Sequence, residues 1–91
     1  MTRTYALTLP DGGRYLIELR ASLGAPIFYL YGPKYSSSGG PIYSGRGILD
    51  LETMELLPDN AVGLPWAEIS YALQRIMPRI ERIRFEVECA A

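Results

Sequence analysis

PWAEISYALQRIMPRI, Pro65 to Ile80, is the one stretch of the chain with a sustained helical period. Trp66, Ile69, Leu73, Ile76 and Ile80 recur at spacings of three and four. At roughly 100° per residue they fall, with Met77, in one narrow apolar stripe. Pro65 suits the first helical position, because its missing N–H would have had no partner there. Leu64 before it is a poor N-cap, which sets the start only to within a residue or two. Pro78 cannot donate to the Gln74 carbonyl and its ring crowds that turn, so the helix is expected to end near Met77 or to kink there.

The rest of the chain reads as strands that pack against this helix. Thr2 to Leu9 alternates, with Tyr5, Leu7 and Leu9 on one face. Pro10-Asp11-Gly12-Gly13 is a turn signal. Arg14 to Arg20 alternates again, with Tyr15, Ile17 and Leu19 toward the core and Arg14, Glu18 and Arg20 toward water. The two strands read as a hairpin. Ala21 to Pro26 is a connection. Ile27 to Tyr31, IFYLY, is a short apolar run that suits a strand buried on both faces. Gly32 to Pro41, GPKYSSSGGP, reads as a mobile surface loop, since serine, glycine and proline bury little surface. Ile42 to Leu51 returns as a strand, in which Gly45 and Gly47 suggest a bulge or a close backbone approach. Glu52-Thr53-Met54 is a tight turn, Glu55 to Leu57 a short return strand, and Pro58 to Gly63 a linker. Ile83, Phe85, Val87 and Cys89 alternate with Arg82, Arg84, Glu86 and Glu88 and predict a final strand. The fold class expected is α+β: a single, mostly antiparallel sheet of about five to six strands with one amphipathic helix on one face.

Ninety-one residues suit a single domain, 1–91, with one core. The hydrophobic share of 48 % and charged share of 21 % are those of a globular chain rather than a disordered one. A net charge of −1 gives no strong field toward nucleic acid or an anionic membrane. MTRTYALTLP has no long apolar core of a signal peptide, no apolar run approaches the roughly 20 residues of a membrane span, and the lone Cys89 makes no internal disulfide. A cytoplasmic location is the default expectation.

The chain has no histidine, which excludes a His base, Ser-His and Cys-His pairs and His metal ligands. One cysteine does not make a structural zinc site. GGPIYSGRG lacks the Gly-Lys-Ser/Thr of a phosphate loop and does not match the dinucleotide fingerprint. No catalytic, cofactor-binding or metal-binding residue is expected, and the chain is not read as an enzyme. Two carboxylate pairs, Asp50 with Glu52 and Glu86 with Glu88, sit two apart on expected strands. They read as a solvated sheet face with partners among Arg14, Arg20, Arg82 and Arg84. Cys89 continues the apolar alternation and reads as a small core residue.

What remains is a Tyr/Arg set. Tyr29, Tyr31, Lys34, Tyr35, Tyr43 and Arg46 lie in or beside the glycine-serine stretch, and Tyr71 and Arg75 share the helix face opposite the apolar stripe. Tyrosine and arginine are enriched at binding hot spots. They also stack and pair with single-stranded nucleic acid, although a near-neutral chain with one lysine suits a polyanion poorly. The leading expectation is a small non-catalytic protein-interaction domain: a regulator, inhibitor or accessory subunit binding through Tyr31, Lys34, Tyr35, Tyr43, Arg46, Tyr71 and Arg75. Inhibitors encoded by phages and mobile elements, including anti-CRISPR-like proteins, often have this profile of size, charge and missing catalytic groups. The alternative is a single-stranded nucleic-acid-binding domain using a Tyr/Arg sheet face. No membrane contact is expected, and a homodimer through the Thr2–Leu9 edge or the Tyr71 face is left open.

Overall fold

The structure, a computed structural model, describes residues 2–61 and 63–90. Five strands precede two helices: β1 (Thr2–Thr8), β2 (Arg14–Ser22), β3 (Ala25–Tyr35), β4 (Pro41–Leu49), β5 (Leu56–Pro58), α1 (Trp66–Ile76) and α2 (Arg79–Ala90). The strands form one antiparallel sheet in chain order, β1-β2-β3-β4-β5. The class is α+β, with two helices where one was expected. Of the expected linker Pro58 to Gly63, Val62 lies outside the described residues.

The stretch read as a final strand, Ile83 to Cys89, belongs instead to α2. Phe85 and Cys89, one helical turn apart, are its buried residues, while Ile83 and Val87 are exposed. A spacing of four satisfies a period of two as well as one of 3.6, so the alternation misled. Composition is what decides: glutamate and arginine are good helix formers, and Arg82 pairs with Glu86 one turn on at 3.4 Å. Pro78 sets the break before α2. Met77 is extended (φ −78, ψ 114), as the residue before a proline must largely be, and its N–H still bonds the Leu73 carbonyl at 2.9 Å. The helix restarts when the Arg82 N–H reaches the Pro78 carbonyl at 3.0 Å. The break also corrects the apolar stripe. Ile69, Leu73 and Met77 are buried, but Ile76 is 46 % and Ile80 55 % exposed.

Both helices pack on one face of the sheet, α1 against β1 and β5 and α2 against β2 and β3. The core joins Leu7, Ile17, Leu19, Phe28, Leu30 and Leu49 of the sheet to Ile69, Leu73 and Phe85 of the helices. Tyr5 is half-buried at the border, where its hydroxyl donates to Glu81 of α2. Burial and that carboxylate together raise its phenol above the ordinary tyrosine value. Trp66 packs on Phe28 at 5.8 Å between ring centroids and against the bare backbone of Gly45.

Two hairpins share one turn design. Leu9 N–H bonds the Gly13 carbonyl at 2.8 Å, and Gly12 N–H bonds the Leu9 carbonyl at 2.9 Å. Ser36, Gly39 and Gly40 repeat both bonds at the same lengths. Gly12 (φ 89) and Gly39 (φ 95) supply the left-handed residue this three-residue loop requires. The expected loop from Gly32 to Pro41 is thus mostly strand: β3 continues to Tyr35 and β4 begins at Pro41, leaving only the turn between. Its residues from Pro33 to Gly40 are exposed, so pairing there relies on the backbone and leaves no apolar pattern to read. The expected connection Ala21 to Pro26 shrinks likewise to a two-residue turn at Leu23 (φ 52) and Gly24 (φ 77). β3 is not buried on both faces. Phe28 and Leu30 are buried under the helices, while Ile27, Tyr29 and Tyr31 are half-buried on the other side.

Two stability outcomes follow from this packing. Leu73→Ala should lower unfolding stability by about 2–5 kcal/mol in denaturant titration, because it empties a fully buried site. A Cβ at Gly47 would lie 2.1 Å from the Leu57 carbonyl oxygen across the β4–β5 ladder, whereas one at Gly45 would meet only the Trp66 ring at 3.5 Å. Gly47→Ala should therefore destabilise by about 1–3 kcal/mol and Gly45→Ala clearly less. Equal effects in thermal unfolding would contradict the close approach at Gly47.

Candidate functional site

Because both helices lie on one face, no segment among the described residues covers the other face of the sheet. Strand alternation decides what it displays. The register aligns Leu16, Tyr31 and Tyr43 in one row, Glu18, Tyr29 and Arg46 in the next, and Arg20, Ile27, Ile48 and Leu57 in a third. Residues directly opposite one another across the ladder share a face and touch. Tyr31 and Tyr43 meet edge to face at 5.8 Å. The Arg20 guanidinium lies 4.9 Å over the Tyr29 ring and 2.6 Å from Glu18 Oε1, an ion pair although that oxygen has no well-angled hydrogen bond. Arg46 Nε donates to Asp59 at 3.1 Å. Arg14 stacks over Tyr35 at 5.9 Å, on the arm that β3 and β4 extend beyond the helices. With Arg20 and Arg46 each ion-paired, the face is aromatic and apolar with little net charge.

The expected binding residues are divided by the fold. Tyr31, Tyr43 and Arg46 come together on the open face, with Lys34 and Tyr35 exposed on the adjoining arm. Tyr71 and Arg75 stand apart on α1, in the opposite layer, with the guanidinium 5.6 Å over the ring. Leu16, Ile27, Ile48 and Leu57 belong to the open face and were not singled out from the sequence. Leu16 sits among outward positions in an alternating strand, and that alternation was the signal available for it.

Tyr71 and Arg75 line a cleft of about 730 Å³ between α1 and β1. Ala6, Leu7, Thr8, Leu9 and Pro10 form its sheet side, and Ala67, Glu68, Ala72 and Ile76 the rest of its helix side.

Asp50, Glu86 and Glu88 each bond within the fold, Glu88 to Arg3 rather than to one of the expected arginines. Asp50 Oδ1 accepts from the Glu52 N–H at 2.9 Å and the Thr53 N–H at 3.3 Å, which closes the turn before β5. Glu86 and Glu88 lie on a helix, not a strand, so a separation of two puts them on different sides. Glu86 pairs with Arg82, and Glu88 accepts both arms of the Arg3 guanidinium at 2.6 and 2.9 Å. Cys89 is buried, and burial pushes its thiol up. Among the described residues, no three Cys, Asp or Glu side chains gather as a metal-ligating group, and no helix is long and apolar enough to cross a membrane. Comparison with known proteins finds no matching family model, no matching curated protein and no matching solved structure.

The Arg3–Glu88 pair gives this account a pH signature. The hydrogen bonds from Arg3 hold the Glu88 carboxyl below its ordinary 4.5. A depressed folded value means that the pair stabilises the fold above the ordinary value and stops doing so as pH falls through the folded one. Between about pH 5 and pH 2 the wild type should lose more stability than Glu88→Gln, measured by urea unfolding at each pH. Parallel curves would show that the pair does not form.

Proposed function

We propose that this chain is a small non-catalytic protein-interaction domain, a regulator, inhibitor or accessory subunit that binds a folded protein through its Tyr/Arg sheet face. One observation carries the reading. The helices leave a face on which Tyr29, Tyr31 and Tyr43 stand among Leu16, Ile27 and Ile48, ringed by arginines. Fixed aromatic and arginine side chains over apolar neighbours are what hot spots are made of. Internal pairing of Arg20 and Arg46 supports a protein surface rather than a polyanion as the occupant, because little positive charge is left over to neutralise phosphates. The fitting partner presents an apolar or aromatic patch with little net charge.

A second reading stays in view on the same face. Exposed tyrosines flanked by arginine are also the platform on which single-stranded bases stack. Salt separates the two, since polyanion binding falls steeply between low and physiological ionic strength and an aromatic protein interface does not.

Tyr43→Ala and Arg46→Ala should each weaken a captured protein partner by roughly 1–3 kcal/mol in calorimetric titration, with thermal unfolding nearly unchanged. Both side chains are largely exposed, so neither supports the core. Salt-steep binding of mixed single-stranded oligonucleotides, lost in the same two variants, would replace the first reading with the second. Partner binding indifferent to both substitutions would remove this face from the account.

A further inference from the structure

The two edges of the sheet are finished differently. β5 is three residues long, and its outward Leu56 N–H is taken by the Ser70 hydroxyl of α1 at 2.9 Å. A short strand with a helix laid against it is a blunted edge. β1, at the other edge, runs seven residues without proline, glycine or lysine. Its one charged residue, Arg3, is turned into the pair with Glu88. The hairpin fixes which groups β1 presents outward. Leu9 bonds Gly13, so Leu7–Tyr15, Tyr5–Ile17 and Arg3–Leu19 are the bonded pairs of the ladder. Thr4, Ala6 and Thr8 therefore direct their main-chain N–H and C=O groups away from β2, and among the described residues no further strand lies beyond them.

The cleft of about 730 Å³ opens along this edge, with α1 as its far wall. Small side chains at Ala67 and Ala72 let a backbone come close to α1, and Leu9 and Ile76 make the interior apolar. Arg75 stands in the lining, stacked on Tyr71, and Glu68 stands in the same lining about one helical turn before Tyr71; among the described residues neither enters an ion pair.

The geometry points to a groove for an extended peptide from another protein, added to β1 as a further strand with alternate apolar side chains in the cleft and a carboxylate on Arg75. Main-chain bonds to Thr4, Ala6 and Thr8 supply the register, the apolar interior selects every second side chain, and Arg75 draws a carboxylate to its end of the cleft while Glu68 disfavours one at the other. The wall of α1 favours a bare strand over a second copy of this chain, whose own β1 comes with α1 alongside. The groove lies apart from the Tyr/Arg face and does not depend on it.

The test is selection of short random-sequence peptides, displayed on phage, against the full chain. Recovered sequences should alternate apolar residues and share an aspartate or glutamate. A synthetic peptide of recovered sequence should slow amide exchange at Ala6 and Thr8, and Arg75→Glu should weaken it about tenfold. Ala6→Pro should abolish binding with the unfolding midpoint retained, because that N–H is not used inside the sheet. Should that variant fail to fold, the exchange readout and Arg75→Glu decide alone. The proposal is overturned if no sequence is recovered, or if Arg75→Glu binds as well as wild type. It is equally overturned if the protected amides are those of Tyr31 and Tyr43, or if light scattering shows a dimer that already protects Ala6 and Thr8.

Discussion

Helix α1 is held by two different forces at once, and the rest of the molecule is arranged around it. Ile69 and Leu73 bury it in the core, while the Ser70 hydroxyl accepts the Leu56 N–H and donates to the Trp66 carbonyl at 2.8 Å. Apolar burial fixes which side of the helix faces the sheet but is non-directional along its axis. The hydrogen bond is directional and sets the helix against β5. A buried, unpartnered N–H there would be costly, so Ser70 closes the edge and locates the helix together. Where α1 ends is then decided by Pro78, and the extended Met77 turns the chain so that α2 can cover β2 and β3.

That arrangement explains why the molecule has one covered sheet face and one open one. Two helices of eleven and twelve residues occupy a single layer. No segment among the described residues remains to cover the other face. Tyr29, Arg20 and Glu18 stabilise one another there by stacking and ion pairing, and Tyr31 leans on Tyr43. These contacts restrict side chains before any partner arrives, which lowers the entropy lost on association. The proposed interaction surface and the groove along β1 are two consequences of the same economy of elements.

Much of this was legible in the residues, and the gaps have physical causes. The first hairpin was readable because Pro10-Asp11-Gly12 names its turn and the flanking strands alternate cleanly. The start and end of α1 were readable from Pro65, the apolar spacing and Pro78. The second hairpin arm was hidden because Pro33 to Gly40 are all exposed and leave no apolar pattern to read. α2 was mistaken for a strand because Phe85 and Cys89 satisfy both periods, and the exposed Ile83 and Val87 completed a false alternation. Tyr31, Tyr43 and Arg46 around the turn and Tyr71 and Arg75 on the helix were readable as two patches, but that the first group shares an uncovered sheet face depends on which layer each element joins. No local pattern encodes that.

The unequal edges of the sheet are tested most directly by residue-resolved amide exchange of the free chain. Tyr5, Leu7 and Leu56 should exchange slowly, the first two through β2 and the last through Ser70. Ala6 and Thr8, between and beside them in the same strand, should exchange at rates near those of an unstructured peptide. Protection of Ala6 and Thr8 equal to that of Leu56 would contradict the account, for it would mean that β1 is not a free edge.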